Sequence, residues 1–277
     1  MLLAQTASAQ AEETIVVTAP ASTAVAEAHR FVERLSEPLA RDMPLPRFSD
    51  PVCVGSTGLP AEAGQAVVDR VSDVAASVGL RVGAPGCTPN VLVIFVENSN
   101  EAARRAARAN AAAIRSQSLA DVKRIVGEPG RARAWIEVET RSRDGDRPSY
   151  APNDPAILKV SDSSRLSSAV RRDVVSATVL IDRDAVVGRD LNQVGDYAAM
   201  RSLTGARIRG PADGSSILEL FTPGADSHVP HSLTKFDRGY LRGLYAGSGN
   251  MRASMKRQSI IRYMVEDGAE GAKPKDR

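Results

Sequence analysis

The side chains able to do chemistry are few, and their spacing excludes several reactions. The 277 residues hold three histidines and two cysteines. His29 lies in an apolar stretch with Ala28, Phe31 and Val32 and reads as a packing or surface residue. His228 and His231 form His-x-x-His around Pro230, and a folded-back loop could bring both imidazoles, with Asp226, to one metal ion. No cysteine is left over to complete such a set. Histidines of an ordinary loop are therefore the reading adopted, and no metal or other cofactor is expected. A serine hydrolase presents its nucleophile in G-x-S-x-G beside a histidine and an acid. Neither Gly55-Ser56-Thr57-Gly58 nor Gly247-Ser248-Gly249 fits, and Ser163, Ser164, Ser167 and Ser168 read as loop residues. Glycine-rich phosphate loops, which follow a strand, occur neither after Val96 nor after Ile181. Glu137 with Glu139, and Asp182 with Asp184, would share a strand face, but as solvent-facing acids. No catalytic residue is assigned, and a non-enzymatic role is expected.

Cys53 and Cys87 point to a different use of sulfur. Their even count and the lack of C-x-x-C favour one disulfide over a redox dithiol or a zinc knuckle. Closing that loop is worth about 3 to 4 kcal/mol in the chain-entropy account. The opening MLLAQTASAQA contains Ala7-x-Ala9 and Ala9-x-Ala11, small-x-small pairs of the kind signal peptidase accepts. Residues 1–11 are read as the remnant of an export signal, which places the protein in the periplasm or outside the cell. No run reaches the ~18 to 20 apolar residues of a membrane span, so no transmembrane segment is expected. Lys and Arg exceed Asp and Glu by 36 to 33, a net charge of +3. The densest basic run, Arg104, Arg105, Arg108 and Arg115, has no aromatic among it, so nucleic acid is not an expected partner.

The elements that must carry these residues follow from periodicity. Ser22 caps a helix with Val25, Ala28, Val32 and Leu35 on one face. A second helix starts near Pro60, with Ala63, Val67, Val71, Val74 and Val78 as its stripe and Gly79 at its end. Residues 90–96, Asn-Val-Leu-Val-Ile-Phe-Val, predict a strand buried on both faces. Residues 100–115 predict one Ala/Arg helix, and Ser118 with Asp121 starts another that ends near Gly127. Residues 135–140 and 174–182 predict strands, separated by a polar excursion. Helices are predicted at 190–204, 213–221, 234–246 and 252–266. The sum is an α+β fold: a single domain over 22–266, a small mixed sheet packed with helices, and a helical C-terminal half. Residues 12–21 read as an extended tail and 267–277 as a frayed one.

Three resemblances add to this reading. Glu12, Glu13, Thr14, Ile15, Val16, Val17 and Thr18 resemble the TonB box of outer-membrane receptors. That resemblance implies strand addition to the periplasmic domain of TonB, a mode that suits a β-branched run. The helix Leu191-Asn-Gln-Val-Gly-Asp-Tyr-Ala-Ala-Met200 and the segment Leu233-Thr-x-x-Asp-x-x-Tyr-Leu-x-x-Leu-Tyr245 resemble an uncharacterised family of exported alphaproteobacterial proteins. More distantly, this layout is similar to the catalytic half of zincin metallopeptidases, whose first helix after the sheet carries H-E-x-x-H. Here the corresponding window, Gly195-Asp196-Tyr197-Ala198-Ala199, has no donor at either ligand position. The resemblance therefore implies a zincin-like shell without a metal site. Asp196, Tyr197, Asp237 and Tyr240 are then expected to be structural polar groups, with Asp196 accepting hydrogen bonds from Arg238 or Thr234. The expected function is an exported, non-catalytic domain, binding or structural. The alternatives are a hydrolase of unrecognised type and a TonB-engaging accessory protein.

Overall fold

The computed structural model describes residues 21–35, 43–149, 156–160, 164, 167–225 and 229–270. Four strands form one mixed sheet: β1 (Val54–Thr57), β2 (Val91–Val96), β3 (Ala132–Ser142) and β4 (Val170–Asp182), in the order β1-β2-β4-β3. β1, β2 and β4 are parallel, and β3 runs antiparallel to β4. Parallel neighbours need a crossover, and helix α2 (Ala61–Ser77) supplies it between β1 and β2. Val67, Val71 and Val74 of its predicted stripe are buried, and Gly79 ends it at a φ of 81°. β2 departs from expectation in its faces: Val91, Val93 and Phe95 are buried, but Leu92 is 36% exposed and Ile94 only half-buried. The helices on that second side cover Ile94 but leave Leu92 partly open.

On the better-covered face lie α2 and α6 (Leu191–Thr204), with α1 (Ala21–Leu35), α7 (Lys235–Tyr245) and α8 (Ala253–Glu270) outside them. Ala28, Val32 and Leu35 of α1 are buried as their spacing requires, whereas Val25 is 38% exposed. Helix α8 extends past the expected end at 266. The opposite face carries α3 (Ser99–Arg108), α4 (Ala112–Arg115) and α5 (Leu119–Gly127) over a smaller core of Ala103, Ile114, Ile125, Trp135 and Leu180. Two helices, α3 and α4, replace the single helix expected over 100–115. Asn110 breaks it at a φ of 48°, a left-handed conformation asparagine tolerates better than most residues. The short helix expected over 213–221 is only a 3₁₀ turn at Ile217–Glu219, because the Asp213 and Gly214 amides bond to the Glu219 carboxylate instead of continuing a helix.

Ser22, expected ahead of the first helix, lies inside α1, which begins at Ala21; other helix starts carry caps. Asn98 and Ser118 accept from the amides of Glu101 and Asp121 at the starts of α3 and α5. Helix α7 opens on a capping box, with Thr234 and Asp237 each bonding the other's backbone amide. Its far end is held by cations: Arg47 donates to the carbonyls of Leu244, Tyr245 and Gly247, and Lys256 to that of Ala246. α7 meets α8 through Gly239 and Gly243, where added Cβ atoms would lie 2.5 Å from the Cα atoms of Met264 and Ile260.

Candidate functional site

Asp196, Tyr197 and Asp237, singled out in the sequence, each have side-chain hydrogen-bond partners. Asp196, fully buried on α6, pairs with Arg70 of α2, at 2.7 Å from Nε and 3.1 Å from Nη2, and accepts the Leu233 amide at 2.9 Å. Its cation is thus Arg70 and not Arg238, whose guanidinium bonds the Leu233 carbonyl. The approach is possible because Gly195 faces Arg70, whose Cβ would stand 2.6 Å from a Cβ at that position. Tyr197 is buried edge-on to Phe221, ring centres 4.7 Å apart, and its hydroxyl accepts from Arg201 at 3.3 Å. Burial pushes that phenol up to about 12. Arg201 in turn forks onto Glu128, at 2.5 and 3.0 Å.

Asp237 is buried, with no ion pair among the described residues. It accepts from the Ser216 hydroxyl at 2.6 Å, the Ile217 amide at 2.9 Å, the Thr234 amide at 2.9 Å and the Thr234 hydroxyl at 3.0 Å. Burial pushes its carboxyl up, and these hydrogen bonds work against that. Tyr240 is buried in the same core. Glu219, which the sequence reading passed over, is a second such hub: it takes the amides of Asp213 and Gly214 and the Arg34 guanidinium at 3.2 Å.

Cys53 and Cys87 form a disulfide with a Cα separation of 6.1 Å. It ties the chain entering β1 to the loop before β2, beside the Asn90 carboxamide that accepts the Cys53 amide at 2.8 Å. His29 and His231 are exposed; Asp226 and His228 lie outside the described residues, as do Glu12, Glu13, Thr14, Ile15, Val16, Val17 and Thr18. Among the described residues, no three His, Cys, Asp or Glu side chains gather as metal ligands, and no helix is long and apolar enough to cross a membrane.

The feature with the shape of a binding site was not foreseen from the sequence. A cavity of about 490 Å³ opens at the outer edge of β3, within the size range of small-molecule pockets. Ile136 and Val138 of β3 form its floor, Leu35, Leu45 and Leu244 its apolar wall, and the lone tryptophan, Trp135, reaches it from the other side of the strand. An exposed strand edge invites pairing with another chain. Here Gln117 donates to the Ile136 carbonyl at 3.0 Å and Arg201 to that of Ala134 at 3.5 Å, so side chains occupy part of that edge. The charged lining is three arginines against one aspartate: Arg124, Arg172 and Arg207 with Asp121. Arg124 is ion-paired to Asp121. Arg172, half-buried on β4, has no ion pair or side-chain hydrogen bond among the described residues.

Comparison with protein-family models, with curated proteins and with solved structures gives no match for this chain.

Proposed function

We propose that the chain is an exported domain, periplasmic or secreted, that binds a ligand and does not catalyse a reaction. The observation that carries this reading is the Cys53–Cys87 disulfide, since such bridges persist in oxidising compartments and are rare in the cytosol. It agrees with the resemblance of residues 191–200 and 233–245 to an uncharacterised family of exported proteins. The non-catalytic half is supported by the state of Asp196, Tyr197 and Asp237, whose polar atoms are taken up by Arg70, Leu233, Arg201, Ser216, Ile217 and Thr234. The zincin-like window Gly195–Ala199 is used for helix packing against α2, which suits a shell that has no metal to hold.

The test is to produce the protein from its native coding region, fractionate the cells, and weigh the intact chain without reductant. The expected result is a periplasmic or extracellular protein, cleaved near Ala9 or Ala11, at the oxidised mass. A cytoplasmic chain that keeps Met1 and has two titratable thiols would falsify the reading.

A further inference from the structure

We propose that the cavity at the β3 edge binds a small carboxylate with an apolar body, its carboxylate forked by the Arg172 guanidinium. This deepens the reading of the chain as a binding domain and rests on it. The chemistry starts from Arg172 itself. Its neighbour Asp173 is buried and already bonds Ser49 at 2.9 Å, Arg171 at 2.9 Å and Arg141 at 3.1 Å, so it is spent. Arg172 and Val174 share a face by alternation, and the bulge that leaves Val175 out of the β3 register brings that pair to the face of Ala177 and Val179, beneath the apolar wall. The segment from Leu45 to Arg47 runs alongside, with the Arg47 amide on the Arg172 carbonyl at 3.2 Å, and closes the other side.

The fold lowers the basicity of Arg172 by burial, as it does for Arg47 and Arg133. Those two have Asp173, or Asp182 and Glu128, to offset the effect; Arg172 has no such acid. A half-desolvated guanidinium without a counter-charge is a site that an incoming anion completes, and its planar fork matches a carboxylate. The walls decide the rest of the ligand. The lining is mixed: Leu35, Leu45, Ile136, Val138 and Leu244 would cover an alkyl or aryl body, beside the polar Ser116, Gln117 and Thr204. With the Arg124 charge answered by Asp121 and Arg207 already engaged, the site suits a monoanion better than a phosphate.

Trp135 reports on the cavity and is the chain's single tryptophan, so the full-length oxidised protein can be titrated by its own fluorescence. Decanoate below its micellar concentration is the probe, with decanol for the apolar body alone and inorganic phosphate for charge alone. Equilibrium dialysis of labelled decanoate gives a second readout. The expected result is saturable decanoate binding, at least tenfold weaker binding of decanol, and no competition by phosphate. Arg172→Met should weaken decanoate about ten- to a hundredfold, and Arg172→Lys should retain part of the affinity. Both variants should melt within a few degrees of the parent, because Arg172 holds no partner whose loss would unfold the chain. Equal binding of decanol, unchanged affinity in Arg172→Met, displacement by phosphate, or no saturable uptake by either readout overturns the proposal. None of these outcomes touches the export reading. Conversely, turnover of p-nitrophenyl decanoate would sink the non-catalytic reading while leaving the binding result in place.

Discussion

Replacing Gly243 by alanine tests the packing of the helical half most directly. In an open helix the change stabilises, because alanine exceeds glycine in helix propensity by about 0.8–1.0 kcal/mol. At Gly243 the new methyl would sit 2.5 Å from the Ile260 Cα and 3.0 Å from its Cγ1. The obstacle is backbone, so no side-chain rotation relieves it and α8 must retreat. Overpacking of this kind costs about 1–3 kcal/mol, and retreat would also loosen the buried contacts of Leu244 and Ile260. Main-chain obstruction puts the cost at the upper end of that range, and subtracting the propensity gain leaves a net loss of about 2 kcal/mol. For a chain of this size the loss corresponds to a fall in Tm of roughly 4 to 8 °C. Thermal and urea unfolding followed by circular dichroism measure it. Gly127→Ala is the internal control: it also lies in a helix, but nothing stands within 4 Å of its added methyl. It should be neutral or stabilising by at most about 1 kcal/mol. If Gly243→Ala stabilises as much as Gly127→Ala, the close approach of α7 and α8 is wrong.

Three further outcomes follow from the same structure. Asp196→Leu should cost about 2–4 kcal/mol in urea unfolding, because it orphans the Leu233 amide and leaves Arg70 without its acid; adding Arg70→Met should recover part of that loss, and strict additivity would argue against the pair. Burial pushes the Lys256 ammonium down to about 8 from the ordinary lysine value of 10.5. Between those values the unfolded chain holds a proton the folded chain has released, so stability should rise with pH across that window, and the rise should flatten in Lys256→Met. Replacing both Cys53 and Cys87 by serine should lower stability by about 3–4 kcal/mol, read as a lower urea midpoint that reductant no longer shifts.

The elements that depend on local chemistry were legible in the sequence. The Val91–Val96 run announced a strand, Ser118 with Asp121 announced a helix start, and two cysteines in an otherwise ordered region announced their bridge. What escaped depends on residues distant in sequence. Arg70 and Asp196 meet across 126 positions, so the cation that holds Asp196 had no signature near it. The break at Asn110 is concealed by the Ala/Arg composition on either side of it. Arg172 was unreadable for a similar reason: in sequence it stands between Arg171 and Asp173 and resembles any charged strand start. Only the bulge at Val175, and the three donors that consume Asp173, leave it facing a cavity without an acid of its own.

The position of the disulfide has a consequence for the order of events during synthesis. The covalent loop spans 34 positions and closes at Cys87, just before β2 begins at Val91, whereas the second neighbour of that strand does not begin until Val170. A chain delivered amino end first can lock the parallel β1–α2–β2 crossover while β3 and β4 are still to come. The central strand then waits, one side paired and the other open, for a late-arriving mate. That interval is when the nascent polypeptide is most exposed to adhesion with its copies, and the early clasp shortens the search needed to end it.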